Sequence, residues 1–269
     1  MYKTHLQEDA MSKKLERMNQ LISIIKEKNG ASVKELAQMF NVSEMTIRRD
    51  LHILNSNHVV NNVYGATIYN PSNTLDNLDK NYTLLAAKVK RDSEKSRIGK
   101  YAVSLIENND IIIIDSGSTT EKLATNIPSS IKATVLCFNF NILNSLSDKE
   151  NINLIFAGGY FHPNTQMFES PEGISLIRNI RATKVFVSAA GIHEKLGITC
   201  ANNYEAPTKN AILHSAAEKI LLADSSKFGQ VKSSYFADLC DFQKIISDIN
   251  LPTSWIDHIK KLGIDLVMV

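Results

Sequence analysis

Three apolar series at helical spacing open the chain: Leu15, Met18, Leu21, Ile22 and Ile25, then Val33, Leu36, Ala37 and Phe40, then Ile47, Leu51 and Leu54. Each predicts a helix with one buried side. Ser32 with Glu35 three residues on forms a capping box ahead of the second series, and Ser43, after the Asn41-Val42 turn, stands as N-cap of the third. Two short capped helices joined by a few residues and preceded by another make a helix-turn-helix unit. Val59-Val60-Asn61-Asn62-Val63-Tyr64 places β-branched residues around a turn-prone Asn pair, which predicts a small hairpin, a wing. Periodicity then stops at Tyr69-Asn70-Pro71-Ser72-Asn73-Thr74.

From about residue 92 the pattern changes. Short apolar runs at 111–114, 134–136, 152–156, 184–187, 220–223, 244–246 and 266–269 alternate with amphipathic stretches at 93–107, 119–126, 140–146, 172–179, 205–217 and 253–262. Strands buried on both faces, with helices short enough to cross back between them, predict a parallel sheet. The expected fold class is α/β: an N-terminal winged helix-turn-helix over 1–68, with 1–10 a flexible polar tail, a linker over 69–90 and a Rossmann-like domain over 91–269.

Composition adds limits. The 269 residues, 43% hydrophobic, are enough for a second core. The formal charge is +2, with nine basic and seven acidic residues in the first 70 positions and 21 of each in the remainder. So modest a basic footprint implies that binding to duplex DNA gains strength from a homo-oligomer, a dimer or tetramer. No segment reaches the apolar length of a membrane span and the opening residues are too polar for a secretory signal, so a cytoplasmic protein with no membrane partner is expected. Cys137, Cys200 and Cys240 are too scattered for a metal cluster or a disulfide framework and are expected to be buried and inert. Neither metal nor cofactor is expected.

Chemistry gathers in two places. If Ile47, Leu51 and Leu54 face inward, then Glu44, Thr46, Arg48 and Arg49 face outward, where the start of a recognition helix meets base edges and phosphates. Ser32, Ser43 and, in the wing, Tyr64 complete the candidate DNA contacts. A plain helical hairpin with a solvated basic face carries the same charges, and a Tyr64 packed on the helices is an equal alternative to one on the sugar-phosphate backbone. In open α/β sheets ligands gather beyond the carboxyl ends of the strands, and here polar loops follow several runs. Asp115-Ser116-Gly117-Ser118-Thr119-Thr120 joins a strand to a helix, combining a Gly that permits a tight bend, hydroxyls and helix-start N–H groups into a phosphate-sized cradle. Lacking a Walker Lys and holding a single Gly, it indicates neither a nucleoside triphosphate nor a dinucleotide. Asn139, Gly158-Gly159, Ser188-Ala189-Ala190-Gly191 and Asp224-Ser225-Ser226-Lys227 follow later runs, a composition suited to a phosphorylated polyol. Asp224 with Lys227, and Glu205 with Lys209, also read as surface ion pairs. His162 and His193 lie in loops without partners and are set aside as solvated.

Val42-Ser43-Glu44-Met45-Thr46-Ile47-Arg48-Arg49-Asp50-Leu51, followed in order by the Asp115–Thr120 cradle, Ala157-Gly158-Gly159 and Asp224-Ser225-Ser226-Lys227-Phe228, resembles the DeoR-type bacterial transcriptional regulators from about Leu15 to the end. The resemblance implies a sensor domain similar in fold to ribose-5-phosphate isomerase. It implies operator DNA and a phosphorylated sugar as partners, and repression of a sugar-catabolism operon relieved by that sugar phosphate. It also implies Asp115, Ser118, Thr119 and Thr120 at the effector phosphate, with Asn139, Gly158, Glu205, Asp224 and Lys227 along the remainder; Ser116, Gly117 and Gly159 complete the candidate set. The chain departs from the family pattern at Tyr64-Gly65-Ala66 in the wing, at Asn57-His58, and at Phe138 and Ser188 near the pocket. Two alternatives stand beside repression: activation on the same fold, and a sugar-phosphate isomerase with an appended DNA-binding domain. The isomerase needs a base poised on its substrate, for which the sequence offers scattered candidates.

Overall fold

The computed structural model describes residues 17, 18, 20, 21, 23–25, 31–56, 60–63, 66–69 and 83–269. The chain divides into two compact units, Met1–Asn81 and Tyr82–Val269.

In the first unit the described residues of 17–25 are helical. Strand β1 (Ala31–Ser32) leads into α1 (Val33–Phe40), followed by α2 (Glu44–Ser56), β2 (Val60–Val63) and β3 (Ala66–Tyr69). Met18, Leu21, Ile25, Leu36, Ala37, Ile47, Leu51 and Leu54 are buried, one face from each of three helices. The capping box forms as the sequence predicts: Glu35 N donates to Ser32 Oγ at 3.2 Å and Ser32 N to Glu35 Oε2 at 2.8 Å. Asn41 ends α1 with φ 49°, a left-handed turn that Asn tolerates. Arg17 Nε meets the buried Asp50 carboxylate at 2.7 Å, tying the first helix to α2. The wing differs from expectation. Val63 pairs with Ala66 and Val60 with Tyr69, so Asn61 and Asn62 lie inside a strand, and β3 also pairs with β1. Pairing with β3 outweighs the turn preference of an Asn pair flanked by valines.

The second unit opens with α3 (Leu84–Val89) and α4 (Asp92–Val103). Its sheet comprises β4 (Ile111–Ile114), β5 (Ala133–Cys137), β6 (Ile152–Phe156), β9 (Ala182–Ser188), β12 (Ala216–Leu222), β14 (Lys244–Ser247) and β15 (Asp265–Met268). The strands are all parallel, in the spatial order β15-β14-β12-β9-β4-β5-β6. Between them lie α5 (Ser118–Asn126), α6 (Phe140–Leu146), α7 (Pro171–Asn179), α8 (Glu205–His214) and α9 (Thr253–Lys261). Successive strand residues point to opposite faces. Ile113, Leu136, Val185 and Leu221 pack with Ile177, Ile212 and Trp255 of α7, α8 and α9. Ile112, Ile114, Val135, Phe186 and Ile220 pack with Ile98, Leu123 and Ile142 of α4, α5 and α6. A sheet covered on both faces has no polar side, which is why its strands read as unbroken apolar runs.

Strand order reverses between β4 and β9: β5 and β6 continue on one side of β4, and β9, β12, β14 and β15 on the other. A crevice beyond the carboxyl ends at such a switch point is the usual ligand position in open α/β sheets. Further features were not expected from periodicity. β7 (Tyr160–His162) and β8 (Met167–Glu169) form a hairpin, and β10 (Gly191–His193), β11 (Gly197–Cys200) and β13 (Ser234–Ala237) form a small antiparallel sheet. The stretch expected as linker holds α3, and α4 and α8 end earlier than expected. Among the described residues no helix is long and apolar enough to cross a membrane. Cys137 and Cys200 are buried but Cys240 is exposed, contrary to expectation, because it sits in a surface 3-10 turn.

Candidate functional site

At the start of α2, Ser43 Oγ accepts from Thr46 N at 3.2 Å and lies 2.9 Å from Thr46 Oγ1, so the cap is made by the residue the sequence singled out. With Ile47, Asp50, Leu51 and Leu54 buried, Ser43, Glu44, Arg48 and Arg49 are exposed and Thr46 is half-buried. Arg48 Nη2 lies 3.4 Å from Glu44 Oε2, four residues back, in a pair whose side chains are 61% and 50% exposed. So exposed a pair contributes little to stability, which leaves Arg48 free to exchange partners. Ser32 is half-buried and committed to its capping box. Tyr64 lies outside the described residues.

In the second unit the carboxyl ends of β4 and β9 meet through a buried charge pair. Asp115 follows β4 and is fully buried; its Oδ2 accepts from Ser188 N at 2.9 Å and from Ser188 Oγ at 3.3 Å. The same oxygen pairs with Lys209 Nζ of α8, which also donates to Ser188 O at 3.1 Å and lies 5.1 Å from the centroid of the Phe236 ring. Burial alone would push Lys209 down; the carboxylates of Asp115 and Glu205 outweigh it and hold the ammonium above its ordinary range. Burial pushes the Glu205 carboxyl up, against the pull of Lys209, and its Oε1 accepts from Asn202 N at 3.0 Å and Asn202 Nδ2 at 2.8 Å. The alternative reading of Glu205 and Lys209 as a surface ion pair does not hold: both are buried beside Asp115, because α8 turns that edge toward the sheet.

The cradle forms above this pair. Gly117 has φ 152°, and a Cβ there would stand 2.4 Å from Ser188 Oγ, so the Ser188 side chain and the backbone conformation both favour glycine. Thr120 Oγ1 donates to Gly117 O at 3.0 Å, closing the loop on α5. Ser116, Ser118, Thr119 and Thr120 are all buried. The first N–H groups of a helix lack intrahelical acceptors and carry partial positive charge, a ready position for an anion. Asn139 stands at the N-cap of α6 yet makes no capping bond, although Asn is a favoured cap. It is fully buried with both amide atoms unpartnered, as are the buried Thr208 Oγ1 and Asp224 Oδ2. An unpaired buried polar group costs about 1–3 kcal/mol.

Asp224 does not pair with Lys227. Its Oδ1 accepts from Ser226 N at 3.1 Å, and the turn is held by Asp248, a residue sequence reasoning missed, whose carboxylate takes Ser225 N at 2.6 Å and Ser225 Oγ at 3.0 Å. Lys227 stays half-buried. Gly158 and Gly159 differ in role. A Cβ on Gly158 meets nothing closer than 3.8 Å, whereas one on Gly159, at φ 152°, would strike Glu169 O at 2.2 Å. His162, expected to be solvated, meets Glu169 Oε2 at 2.8 Å and stacks on Tyr204 with centroids 3.6 Å apart, because the hairpin folds over α8. Among the described residues no cluster of His, Cys, Asp and Glu could hold a metal.

Sequence reasoning also missed Lys95 on α4, which is 1% exposed. Its spacing from Ile98, Gly99 and Ala102 marks it as part of the buried stripe, the signal that could have found it. Its Nζ donates to Lys90 O at 2.7 Å and also to Ala87 O. Burial pushes this amine down to about 7, the charge of Lys227 adding to the effect and those of Asp224 and Asp92 opposing it.

A family model described as the DeoR-like helix-turn-helix domain matches residues 17–73, and one described as the DeoR C terminal sensor domain matches residues 90–249. The deoxyribose operon repressor of Escherichia coli (strain K12) is 32% identical over 233 residues, 87% of this chain and 90% of that protein. The HTH-type transcriptional regulator IolR of Bacillus subtilis (strain 168) is 31% identical over 217 residues, 81% of this chain and 84% of that one. Among solved structures, ribose 5-phosphate isomerase A from Methanocaldococcus jannaschii superposes with a TM-score of 0.40 at 15% identity, covering 52% of this chain and 55% of that one.

Proposed function

The chain belongs to the DeoR family of transcriptional regulators, and we propose that it is a repressor of a sugar-catabolism operon that releases its operator when a phosphorylated sugar fills the sensor unit. The observation that carries the sensor reading is Asn139: a fully buried amide with an open donor and an open acceptor complements a hydroxyl, the group a sugar repeats. In this reading the phosphate lies on the N–H groups and hydroxyls of Ser116, Gly117, Ser118, Thr119 and Thr120. Gly158, Glu205, Asp224 and Lys227 line the rest, and Lys209 pairs with Asp115 beneath. Gly159 supports the hairpin rather than the ligand. Ser43, Glu44, Thr46, Arg48 and Arg49 meet operator DNA, with two or more copies spanning half-sites about one helical turn apart or a multiple of it. Asp115 is engaged with Lys209 and Glu205 with Asn202 rather than poised on a reacting carbon, which supports sensing over isomerisation.

Two measurements test this. In a mobility-shift assay on the upstream promoter, Arg48→Ala with Arg49→Ala should weaken retardation by roughly 30-fold or more, since an arginine that reads a base edge is worth about 1–3 kcal/mol; unchanged specific binding would refute the DNA face. In thermal unfolding against a panel of phosphosugars, one member at 100 times its Kd should add about 2.7 kcal/mol, and its dephosphorylated form nothing. Asn139→Leu should abolish that ligand shift while leaving the free protein as stable or more so, because it removes an unpaired polar group. A stabilising shift that survives in Asn139→Leu removes the amide from the site.

A further inference from the structure

The first element of the sensor unit, α3, is fastened by contacts that lead to the cradle. Lys88 Nζ meets Glu121 Oε1 at 2.7 Å, and Glu121 lies in the first turn of α5, the helix whose start forms the cradle. The other Glu121 oxygen accepts from Asn141 Nδ2 at 2.9 Å, next but one to Asn139. Lys95 Nζ holds the last carbonyls of α3 and its exit, Ala87 O and Lys90 O, while feeling the charges of Lys227 and Asp224 at the far side of the site. A left-handed Arg91, φ 58°, turns the chain between α3 and α4. Leu84 of α3 is buried, and its N donates to Asn164 O at 2.7 Å.

We propose that α3 is the element through which an anion in the cradle acts on the rest of the chain. The inference rests on the effector site proposed above. A phosphate carries about 1.5 to 2 negative charges, and at the start of α5 it stands within one turn of Glu121. It repels that carboxylate and competes with it for Lys88. The same charge attracts the Lys95 ammonium, whose Nζ holds the α3 carbonyls. Both ionic fasteners of α3 therefore weaken when the site fills, and α3, where the chain enters the sensor unit, loosens. A ligand shifts such an equilibrium only by its differential interaction with the two states, and here the difference is the redistribution of Lys88 and Lys95.

Hydrogen–deuterium exchange of the full chain with and without inorganic phosphate, a minimal anion for the cradle, tests this. The expected result is slower exchange at 117–121 together with exchange at 84–91 faster by about 5-fold or more, the low end of typical coupling between sites. Absence of protection at 117–121 defeats the effector site and the inference with it. Protection there with unchanged or slowed exchange at 84–91 defeats the inference alone. Glu121→Gln should give fast exchange at 84–91 without phosphate while keeping phosphate protection at 117–121. Lys88→Met should do the same, and slow exchange of 84–91 in both variants overturns the role assigned to the pair.

Discussion

Lys209→Met is expected to destabilise the sensor unit by about 3–5 kcal/mol, the cost of leaving one member of a buried ion pair uncompensated. Asp115 would retain Ser188 N–H at 2.9 Å and the hydroxyls of Ser188 and Ser116, both at 3.3 Å, but no cation. Those neutral donors do not replace an ammonium that touches both the carboxylate and Ser188 O. For a unit of this length the loss corresponds to a drop in Tm of roughly 6–20 °C. Adding Asp115→Asn to Lys209→Met removes the orphan charge, so the double variant should be more stable than the single one. Thermal unfolding of the three proteins checks this. A double variant as damaged as Lys209→Met, or more so, would show that the Lys209 charge serves a partner other than Asp115.

That pair illustrates where the sequence was legible. The sheet strands were readable because the central ones are buried on both faces and all carry dense apolar runs; the runs at 111–114 and 152–156 coincide with β4 and β6. The helix caps at Ser32 and Ser43 were readable because capping needs specific residue types at fixed offsets within one turn. Lys209 and Ser188 were not readable as a site, because their meeting with Asp115 depends on β9 lying beside β4, a pairing across more than 70 positions that no local pattern encodes. Short strands such as β7, β8 and β10 have only three residues each, too few to establish a period of two. Asn61 and Asn62 misled for the opposite reason: a strong local turn preference was overridden by pairing with β3. Of the candidate effector residues, the loop 115–120 was legible as a unit because its glycine and hydroxyls are contiguous. The orphan character of Asn139 appears only once its neighbours are in place.

The paired glycines give the second large effect. Gly159→Ala should cost the sensor unit about 2–4 kcal/mol, whereas Gly158→Ala should leave its Tm within about 2 °C of the parent. At Gly159 the new methyl would lie 2.2 Å from Glu169 O and 2.7 Å from Ser170 Cβ, and the backbone has φ 152°, a conformation L side chains rarely adopt. The carbonyl it strikes ends β8, so relief requires moving the β7–β8 hairpin, which also carries His162 and its contacts with Glu169 and Tyr204. At Gly158 the nearest atoms, on the Phe156 ring, are at 3.8 and 3.9 Å, an ordinary contact. Any loss of phosphosugar response in Gly158→Ala therefore reports crowding of the ligand rather than unfolding, and isothermal titration on that variant reads it directly. If the two alanine variants unfold at the same temperature, the hairpin does not constrain Gly159, and the division between a supporting glycine and a ligand-facing one fails.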